Sequence, residues 1–258
     1  MTTAPRILSI AGSDSSGGAG IQADIKTITM LGGYAMTAIT AITAQNTMGV
    51  TAVEALSPEM VVAQIDACLS DIGADAVKIG MLGSPEIAAV VADRLETLAV
   101  PIVFDPVMIA TSGSVLADAD TIAAFERLMR MATLTTPNAD ELGALGGHEG
   151  MAVRGVAYLA KGGDLPGNIV EDILVAANGR RTAWHAARIV TRHTHGTGCT
   201  LASAIATLLG RGLSLETAIT GARQFVRAAL AAAPRFGQGH GPLGHHAVCE
   251  DFPQQSSS

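Results

Sequence analysis

The chain has 258 residues, of which 48% are hydrophobic and 15% are charged, with a mean hydropathy of +0.37. These values exclude a disordered protein and favour a sheet buried on both faces, so we predict a single domain over residues 1–250. The net charge of −7 argues against a nucleic-acid partner, because such a partner requires a basic surface.

Neither secretion nor membrane insertion is expected. The first residues, MTTAPRILSIAG, lack a charged segment followed by a long apolar run, and no stretch approaches the roughly 18 to 20 apolar residues that span a bilayer. The three cysteines have no CxxC spacing, which argues against a disulfide framework or a structural zinc site. These features favour a cytoplasmic protein.

Short β-rich apolar runs alternate with amphipathic or alanine-rich stretches along the chain. In chain order, the predicted strands are Ile7–Ile10, Met36–Ala44, Thr51–Ala55, Ala76–Ile79, Pro101–Phe104, Ala132–Thr135, Val156–Ala160, Ile173–Ala176 and Thr182–Ala186. The predicted helices are Ala19–Leu31, Pro58–Ser70, Pro85–Leu98, Ala119–Met129, Ala139–Leu145, Gly198–Leu209 and Leu215–Ala232. This order predicts an α/β fold with a doubly wound, mostly parallel central sheet and helices on both faces, with ligands at the carboxyl ends of the strands. Residues 251–258, which are polar, are predicted to be a disordered tail.

A loop of small residues, Ala11–Gly20 (AGSDSSGGAG), follows the first predicted strand and leads directly into a helix. It is not a Walker A loop, because no Lys-Ser or Lys-Thr pair follows its GxxxxG spacing. The stretch Gly18–Ala23 matches the permissive GxGxxA form of a dinucleotide-binding loop, but Asp24 is too near and Glu54 too far to be its acidic partner. A close approach of backbone to a ligand and a purely structural turn both remain open.

A second glycine-rich element, Thr191–Thr200 (TRHTHGTGCT), precedes an apolar helix. Gly196 and Gly198 allow a nest of backbone N–H groups at the helix N-terminus, which suits a phosphoryl group in transfer. Cys199 lies in the first turn, where the helix dipole is expected to lower its thiol pKa from about 8.5 towards neutral, so that it can take a proton from a substrate hydroxyl. A buried inert cysteine and a cysteine–histidine nucleophilic pair are the alternatives.

Together these segments resemble the hydroxymethylpyrimidine/phosphomethylpyrimidine kinase family, which has the ribokinase-like fold. The matching stretches occur in the family's order from about Arg6 to His246, and they are IAGSDSSGGAGIQADIKT, TAITAQNTMGV, KIGML, FDPVM, TPNADE, KGG, HTHGTGCT and GHGPLGHH. The resemblance implies phosphorylation of 4-amino-5-hydroxymethyl-2-methylpyrimidine and then of its monophosphate, with ATP and Mg²⁺. It also implies a homodimer.

The resemblance further implies which residues bind the pyrimidine. Gln45 would hydrogen-bond the aminopyrimidine edge, because an amide offers both a donor and acceptors. The residues implied around the ring are Ala19, Asp24, Met81 and Val107. A loop amide bonded to backbone is the alternative for Gln45.

The same resemblance implies a phosphate end of the site. Its catalytic residues would be Lys161, Gly196, Thr197, Gly198 and Cys199. The nucleotide would contact Asn138, Lys161 and Thr197, and Mg²⁺ would lie near Asp105 and Glu141. From the residues alone, Asn138 is equally typical of a helix N-cap and Glu141 of its capping-box partner, and both roles are compatible.

Two departures from the family pattern affect the nucleotide side. Only Gly147–Val156 stands where the family has a helix of about four turns, and KGGD, with Asp164, replaces the usual KGGH. Two alternative functions remain open. One is a pyridoxal kinase, because that vitamin presents a similar hydroxymethyl group on a flat ring. The other is a non-catalytic pyrimidine-binding protein that has lost part of its nucleotide site.

Overall fold

The computed structural model describes residues 4–108 and 119–248. Its strands are β1 (Arg6–Ala11), β2 (Tyr34–Ile39), β3 (Ala41–Asn46), β4 (Gly49–Ala55), β5 (Ala76–Ile79), β6 (Ile102–Phe104), β7 (Leu134–Thr135), β8 (Tyr158–Ala160), β9 (Ile169–Val175) and β10 (Arg181–Ala187). Its helices are α1 (Gly20–Met30), α2 (Pro58–Asp71), α3 (Pro85–Leu95), α4 (Ala119–Met131), α5 (Ala139–Ala144), α6 (Gly147–Arg154), α7 (Thr197–Gly210) and α8 (Leu215–Ala231), followed by a 3₁₀ turn, His245–Ala247. The predicted tail, 251–258, lies outside the described residues.

The main sheet has the strand order β10-β9-β8-β7-β6-β5-β1-β2. All neighbours from β2 to β8 pair in parallel, whereas β8, β9 and β10 pair in antiparallel fashion. The predicted α/β class with a mostly parallel sheet is confirmed. A crossover helix must return the chain between parallel neighbours, so the loops that follow the parallel strands gather at one edge.

Two hydrophobic clusters cover the two faces of this sheet. Alternating residues of one strand enter opposite clusters, as Leu8 and Ile10 pack with α2, α3 and α4 while Ile7 packs with α1, α7 and α8. Helix α7 lies between the sheet and α8, and its residues from Thr200 to Leu209 are all buried. This explains why the helix consists mostly of small or apolar residues on every side.

The prediction of one continuous strand over Met36–Ala44 is wrong. The chain leaves the main sheet at Thr40, and β3 pairs instead with β4 in a separate antiparallel hairpin. Thr40 is held at this corner because its main-chain N–H donates to Ala11 O at 3.1 Å and its hydroxyl donates to Met81 O at 2.7 Å. The corner directs the hairpin over the carboxyl edge of the sheet.

The short segment recognised at Gly147–Val156 contains the two-turn helix α6. Gly146 and Gly155 flank this helix with positive φ angles of 89° and 64°, and Met151 anchors it in the core.

Within residues 4–108 and 119–248, no helix is both long and apolar enough to cross a bilayer.

Candidate active site

A cavity of about 770 Å³ opens at the carboxyl ends of the parallel strands and at the N-terminus of α7. Most of the predicted site residues line it, although they come from widely separated parts of the sequence. They are Ala19, Gln45, Met81, Asp105, Val107, Asn138, Glu141, Lys161, Gly196, Thr197, Gly198 and Cys199. The topology brings them together because they lie in loops after the parallel strands, at the starts of α5 and α7 or, for Gln45, near the end of β3, all at the same edge of the sheet.

Gln45, Met81 and Val107 line the cavity, as the resemblance implies for a ring-binding region. Gln45 lies where the pairing of β3 with β4 shifts register, and such an irregularity redirects a side chain. Its main chain is tied to the first glycine-rich loop, since its N–H donates to the Ser15 hydroxyl, which donates in turn to Gln45 O, both at 2.8 Å. The loop and the hairpin therefore form one wall.

Asp24 does not line the cavity, contrary to its predicted place beside the ring. It is fully buried and pairs with the buried ammonium of Lys78 at 2.8 Å. The hydroxyls of Ser9 and Ser203 also donate to its carboxylate, both at 2.6 Å. The motif match did not show how deeply this position is buried, and Asp24 supports the site from behind the wall.

Lys161, Asp105 and Glu141 form the charged end of the cavity. Lys161 Nζ lies 2.8 Å from Asp105 Oδ1 and 3.7 Å from Glu141 Oε2. Burial alone would raise the pKa of Asp105, but the ammonium groups of Lys161 and Lys78 lower it. Burial likewise opposes the charge on Lys161, yet Asp105 and Glu141 raise its pKa. Lys161 therefore stays positive and Asp105 negative.

Asn138 and Glu141 form a capping box at the start of α5. The Asn138 N–H donates to Glu141 Oε2 at 2.7 Å, and the Glu141 N–H donates to Asn138 Oδ1 at 2.8 Å. Both residues also line the cavity, so the structural interpretation holds without excluding a ligand-binding one. Burial raises the pKa of Glu141 to about 7; the charge of Lys161 lowers it, whereas the charges of Asp105 and Asp164 raise it. The cavity wall here has an excess of acidic groups.

The N-terminus of α7 approaches the charged end closely because of its glycines. Gly196 has a φ of +86°, and a Cβ there would collide with Gly18 O. At Gly198 a Cβ would lie 3.4 Å from Lys161 Nζ and 3.5 Å from Asp105 Oδ2. The helix N-terminus and the Lys161 ammonium thus lie close together and suit a phosphoryl group, with the Asp105 carboxylate beside them.

The predicted lowering of the Cys199 pKa is wrong for this structure. The side chain is partly exposed to the cavity but deep within the protein, and burial raises the pKa of the thiol to about 11. The positive charge of Lys78 and a hydrogen bond from the Gly20 N–H act in the opposite direction without overcoming burial. The resting thiol is therefore protonated at neutral pH.

Sequence reasoning missed a buried pair formed by Asp14 and His195, which also lines the cavity. His195 Nε2 lies 2.8 Å from Asp14 Oδ2. The signals were present, because Asp14 lies inside the first glycine-rich loop and His195 inside the second. Nothing in the sequence showed that the two loops touch.

Comparisons with known proteins show which sequences and structures this chain resembles. The model of the family described as "Phosphomethylpyrimidine kinase" matches residues 14–244. The chain is 47% identical over 255 residues to a hydroxymethylpyrimidine/phosphomethylpyrimidine kinase of Rhizobium meliloti (strain 1021), covering 92% of this chain and 96% of the relative. The structure matches that of Bacillus subtilis pyridoxal kinase in an ADP complex, with a TM-score of 0.86, 31% identity, and coverage of 95% and 99% of the two chains. It also matches phosphomethylpyrimidine kinase from Clostridium difficile 630, with a TM-score of 0.73, 38% identity, and coverage of 86% and 98%.

Proposed function

The chain belongs to the phosphomethylpyrimidine kinase family, and we propose that it transfers a phosphoryl group from ATP to 4-amino-5-hydroxymethyl-2-methylpyrimidine and then to the resulting monophosphate. One observation carries this proposal. A single cavity holds Gln45 and Met81, which suit a polar flat ring, together with Lys161 and the N-terminus of α7, which suit phosphates. The product of the two steps would be the pyrimidine diphosphate, which is used in thiamine biosynthesis.

Positioning and charge neutralisation account for most of the chemistry in this proposal. Gln45 holds the ring so that its hydroxymethyl group faces the charged end of the cavity. Lys161 neutralises the phosphates, and Asn138 and Thr197 contact the nucleotide beside it. The backbone N–H groups of Gly196, Gly198 and Cys199 hydrogen-bond the phosphoryl group in transfer, while the Thr197 N–H donates to Thr194 O at 3.2 Å. Asp105 keeps Lys161 in place through its 2.8 Å ion pair.

Cys199 is proposed as the base that takes the proton of the substrate hydroxyl. With a pKa of about 11, the thiolate is about one part in 10⁴ of the ligand-free protein at pH 7. Lys78 and the Gly20 N–H both favour the thiolate and therefore assist the transfer. Once the Cys199 thiolate is formed, its high pKa makes it a strong base for the proton of the substrate hydroxyl.

We further propose that Mg²⁺ accompanies ATP and lies near Asp105 and Glu141. The donor set fits, because Mg²⁺ prefers oxygen ligands and needs only one or two carboxylates when phosphates and water complete its shell. Both carboxylates line the cavity, where an ion bound to the phosphates could reach them. When bound, the ion would offset phosphate charge, and it would also relieve the acidic excess around Glu141.

Steady-state ADP formation tests the proposal, with Mg-ATP and either the pyrimidine alcohol, its monophosphate or pyridoxal as the acceptor. We expect turnover with both pyrimidines, despite the short α6 region and Asp164 on the nucleotide side. Turnover with pyridoxal alone would reassign the substrate. Pyrimidine binding without any ATP binding in calorimetry would support the binding-protein alternative.

Pyridoxal kinase activity is the second candidate, because solved pyridoxal kinases match this structure with a TM-score of up to 0.86. The relatives with higher sequence identity, at 38 to 47%, are named as pyrimidine kinases, which favours the pyrimidine.

The expected homodimer stays a prediction. The β3–β4 hairpin exposes one apolar side chain on each face, Ile42 on one and Val53 on the other, and sedimentation equilibrium would measure the mass.

A further inference from the structure

A buried pair, His195 and Asp14, stands directly beside Gln45. His195 Nε2 lies 2.8 Å from Asp14 Oδ2 and 3.3 Å from the amide nitrogen of Gln45. Only 4% of His195 and 1% of Asp14 is exposed. Gly18 makes room for the imidazole, because a Cβ there would lie 2.5 Å from His195 Cδ2. Packing and hydrogen bonding therefore hold the ring in one place.

The proton shared by the pair belongs to the imidazole. Besides the histidine, the Asp14 carboxylate accepts hydrogen bonds at 2.8 to 2.9 Å from three main-chain N–H groups, those of Ser16, Gly18 and Ala19. Burial opposes the charged form, but the bonds from His195 and from this loop hold the pKa of Asp14 at about 2. An ionised carboxylate has no proton to give, so His195 Nε2 carries the hydrogen and donates it. That nitrogen cannot also accept a hydrogen bond from the neighbouring amide.

This proton decides which way the amide of Gln45 is turned. If the amide N–H of Gln45 pointed at His195, it would face the Nε2–H, and two hydrogen-bond donors would stand against each other. If the amide oxygen points there instead, it accepts a share of the hydrogen bond from Nε2–H. At its other end the amide lies 3.3 Å from Thr43 Oγ1, a hydroxyl that already donates to Ser13 O at 2.7 Å and is left to accept. A half-turn of the amide, which leaves its shape unchanged, satisfies both neighbours, with Oε1 towards His195 and Nε2 towards Thr43.

We infer that His195, held by Asp14, is a positioning residue that fixes the orientation of the Gln45 amide and so sets the hydrogen-bonding edge that the site accepts. One lone pair of the amide oxygen and one N–H remain for the ligand. A matching ring presents an exocyclic amino group on the His195 side and an unprotonated ring nitrogen on the Thr43 side. This inference rests on the proposed function and specifies how the pyrimidine is recognised.

The inference predicts discrimination against one close analogue. When oxygen replaces the exocyclic amino group, the ring presents an acceptor where the site needs a donor and a ring N–H where it needs an acceptor. A site built to pair with one order leaves its own polar groups unpaired against the other. We therefore expect the wild-type protein to prefer the amino compound over the 4-oxo compound by about 10²-fold in kcat/KM.

The variant His195→Phe tests the role of the histidine, because it keeps a flat ring but has no N–H. We expect the preference for the amino compound to fall to about 10-fold or less, mainly through a higher KM for that compound, while the KM for ATP is unchanged. His193→Phe is the matched control. His193 lies two residues earlier, is 7% exposed and does not line the cavity. It should retain the full preference.

Calorimetry without ATP separates this inference from the proposed function. A wild-type protein that binds the pyrimidine but does not phosphorylate it would refute the proposed catalysis, and the ratio of the two dissociation constants would still test His195. Unchanged discrimination in His195→Phe, by rate or by affinity, would overturn the inference. If that variant does not fold, a crystal structure of the wild-type complex decides. The amino group is expected on the His195 side, and the opposite orientation of the ring would refute the inference.

Discussion

Cys199 shows how two effects on one thiol compare in size. The dipole at a helix N-terminus is worth about 0.3 to 1 kcal/mol, which is less than one pKa unit. Desolvation shifts a fully buried group by as much as about 3 to 5 units. The sequence showed the position of the cysteine on the helix but not its depth, so the smaller effect was expected to dominate. Burial raises the pKa to about 11 instead.

Replacing this cysteine tests its role directly. Cys199→Ala is expected to lower kcat by about 10²-fold or more, the scale of a general base, with little change in the KM for ATP. Cys68→Ala is the control, because Cys68 lies half-buried on α2 and does not line the cavity. Alkylation of Cys199 by iodoacetamide in the ligand-free protein should have a midpoint near pH 11. Full turnover in Cys199→Ala would rule out the proposed base.

Positions that lie within one sequence motif could mostly be placed in the cavity, whereas contacts between two distant segments could not be predicted. Gln45, Met81 and Val107 were identified from the motifs that contain them, and all three line the cavity. The contact between Asp14 and His195 joins residues 181 positions apart, and no local pattern encodes it. The roles of the residues in catalysis and binding stay predictions until the variants are measured.

Helix α6 shows how caps and burial can outweigh poor helix propensity. Its sequence, GHEGMAVR, begins with glycine and contains another, so propensity alone disfavours a helix. Positive φ angles at Gly146 and Gly155 begin and end it cleanly, and the buried side chain of Met151 holds it against the core. Tertiary contacts of this kind were not readable from the segment itself.

Two exposed glycines in this region are expected to respond oppositely to the same substitution. Gly155 ends α6 with a φ of +64°, so Gly155→Ala should lower the free energy of unfolding by about 1 kcal/mol, although a Cβ meets nothing within 4 Å. Gly143 lies within α5, where a Cβ also meets nothing within 4 Å, and Gly143→Ala should raise it by about 0.5 to 1 kcal/mol. Urea unfolding measures both values. Equal effects would contradict the assigned backbone conformations.

At the scale of the molecule, the sequence predicted the sheet well because burial on both faces leaves continuous apolar runs. It failed at Thr40, where the strand leaves the sheet, because that corner is set by acceptors far along the chain, Ala11 O and Met81 O. The hairpin that begins there carries Gln45 to the cavity. One local error therefore concealed how the ring-binding wall is built.

The C-terminal segment ties this hairpin to the rest of the site. The His240 N–H donates to Thr47 O at 2.9 Å at the tip of the hairpin. Farther on, His245 is 2% exposed, and its Nε2 lies 2.8 Å from the hydroxyl of Thr200 on α7. Both walls of the cavity are thus fastened by one segment, so conditions that weaken the segment also weaken the site.

Protonation of His245 is such a condition, and it predicts how stability depends on pH. Burial lowers the pKa of His245 to about 4, with Lys26 acting in the same direction, whereas an unfolded histidine titrates near 6.5. As pH falls, the unfolded chain takes up this proton first. The contribution of His245 is therefore complete above about pH 6.5 and is lost as pH falls to about 4, by about 3 kcal/mol in all. Glu141, with its raised pKa, acts with the opposite sign over part of this range, so the comparison must be between variants.

Urea unfolding of His245→Gln should show a weaker loss of stability on acidification than the wild type, while His246→Gln, at an exposed neighbour, should behave like the wild type. Identical pH dependence in all three proteins would show that His245 is not buried in its neutral form.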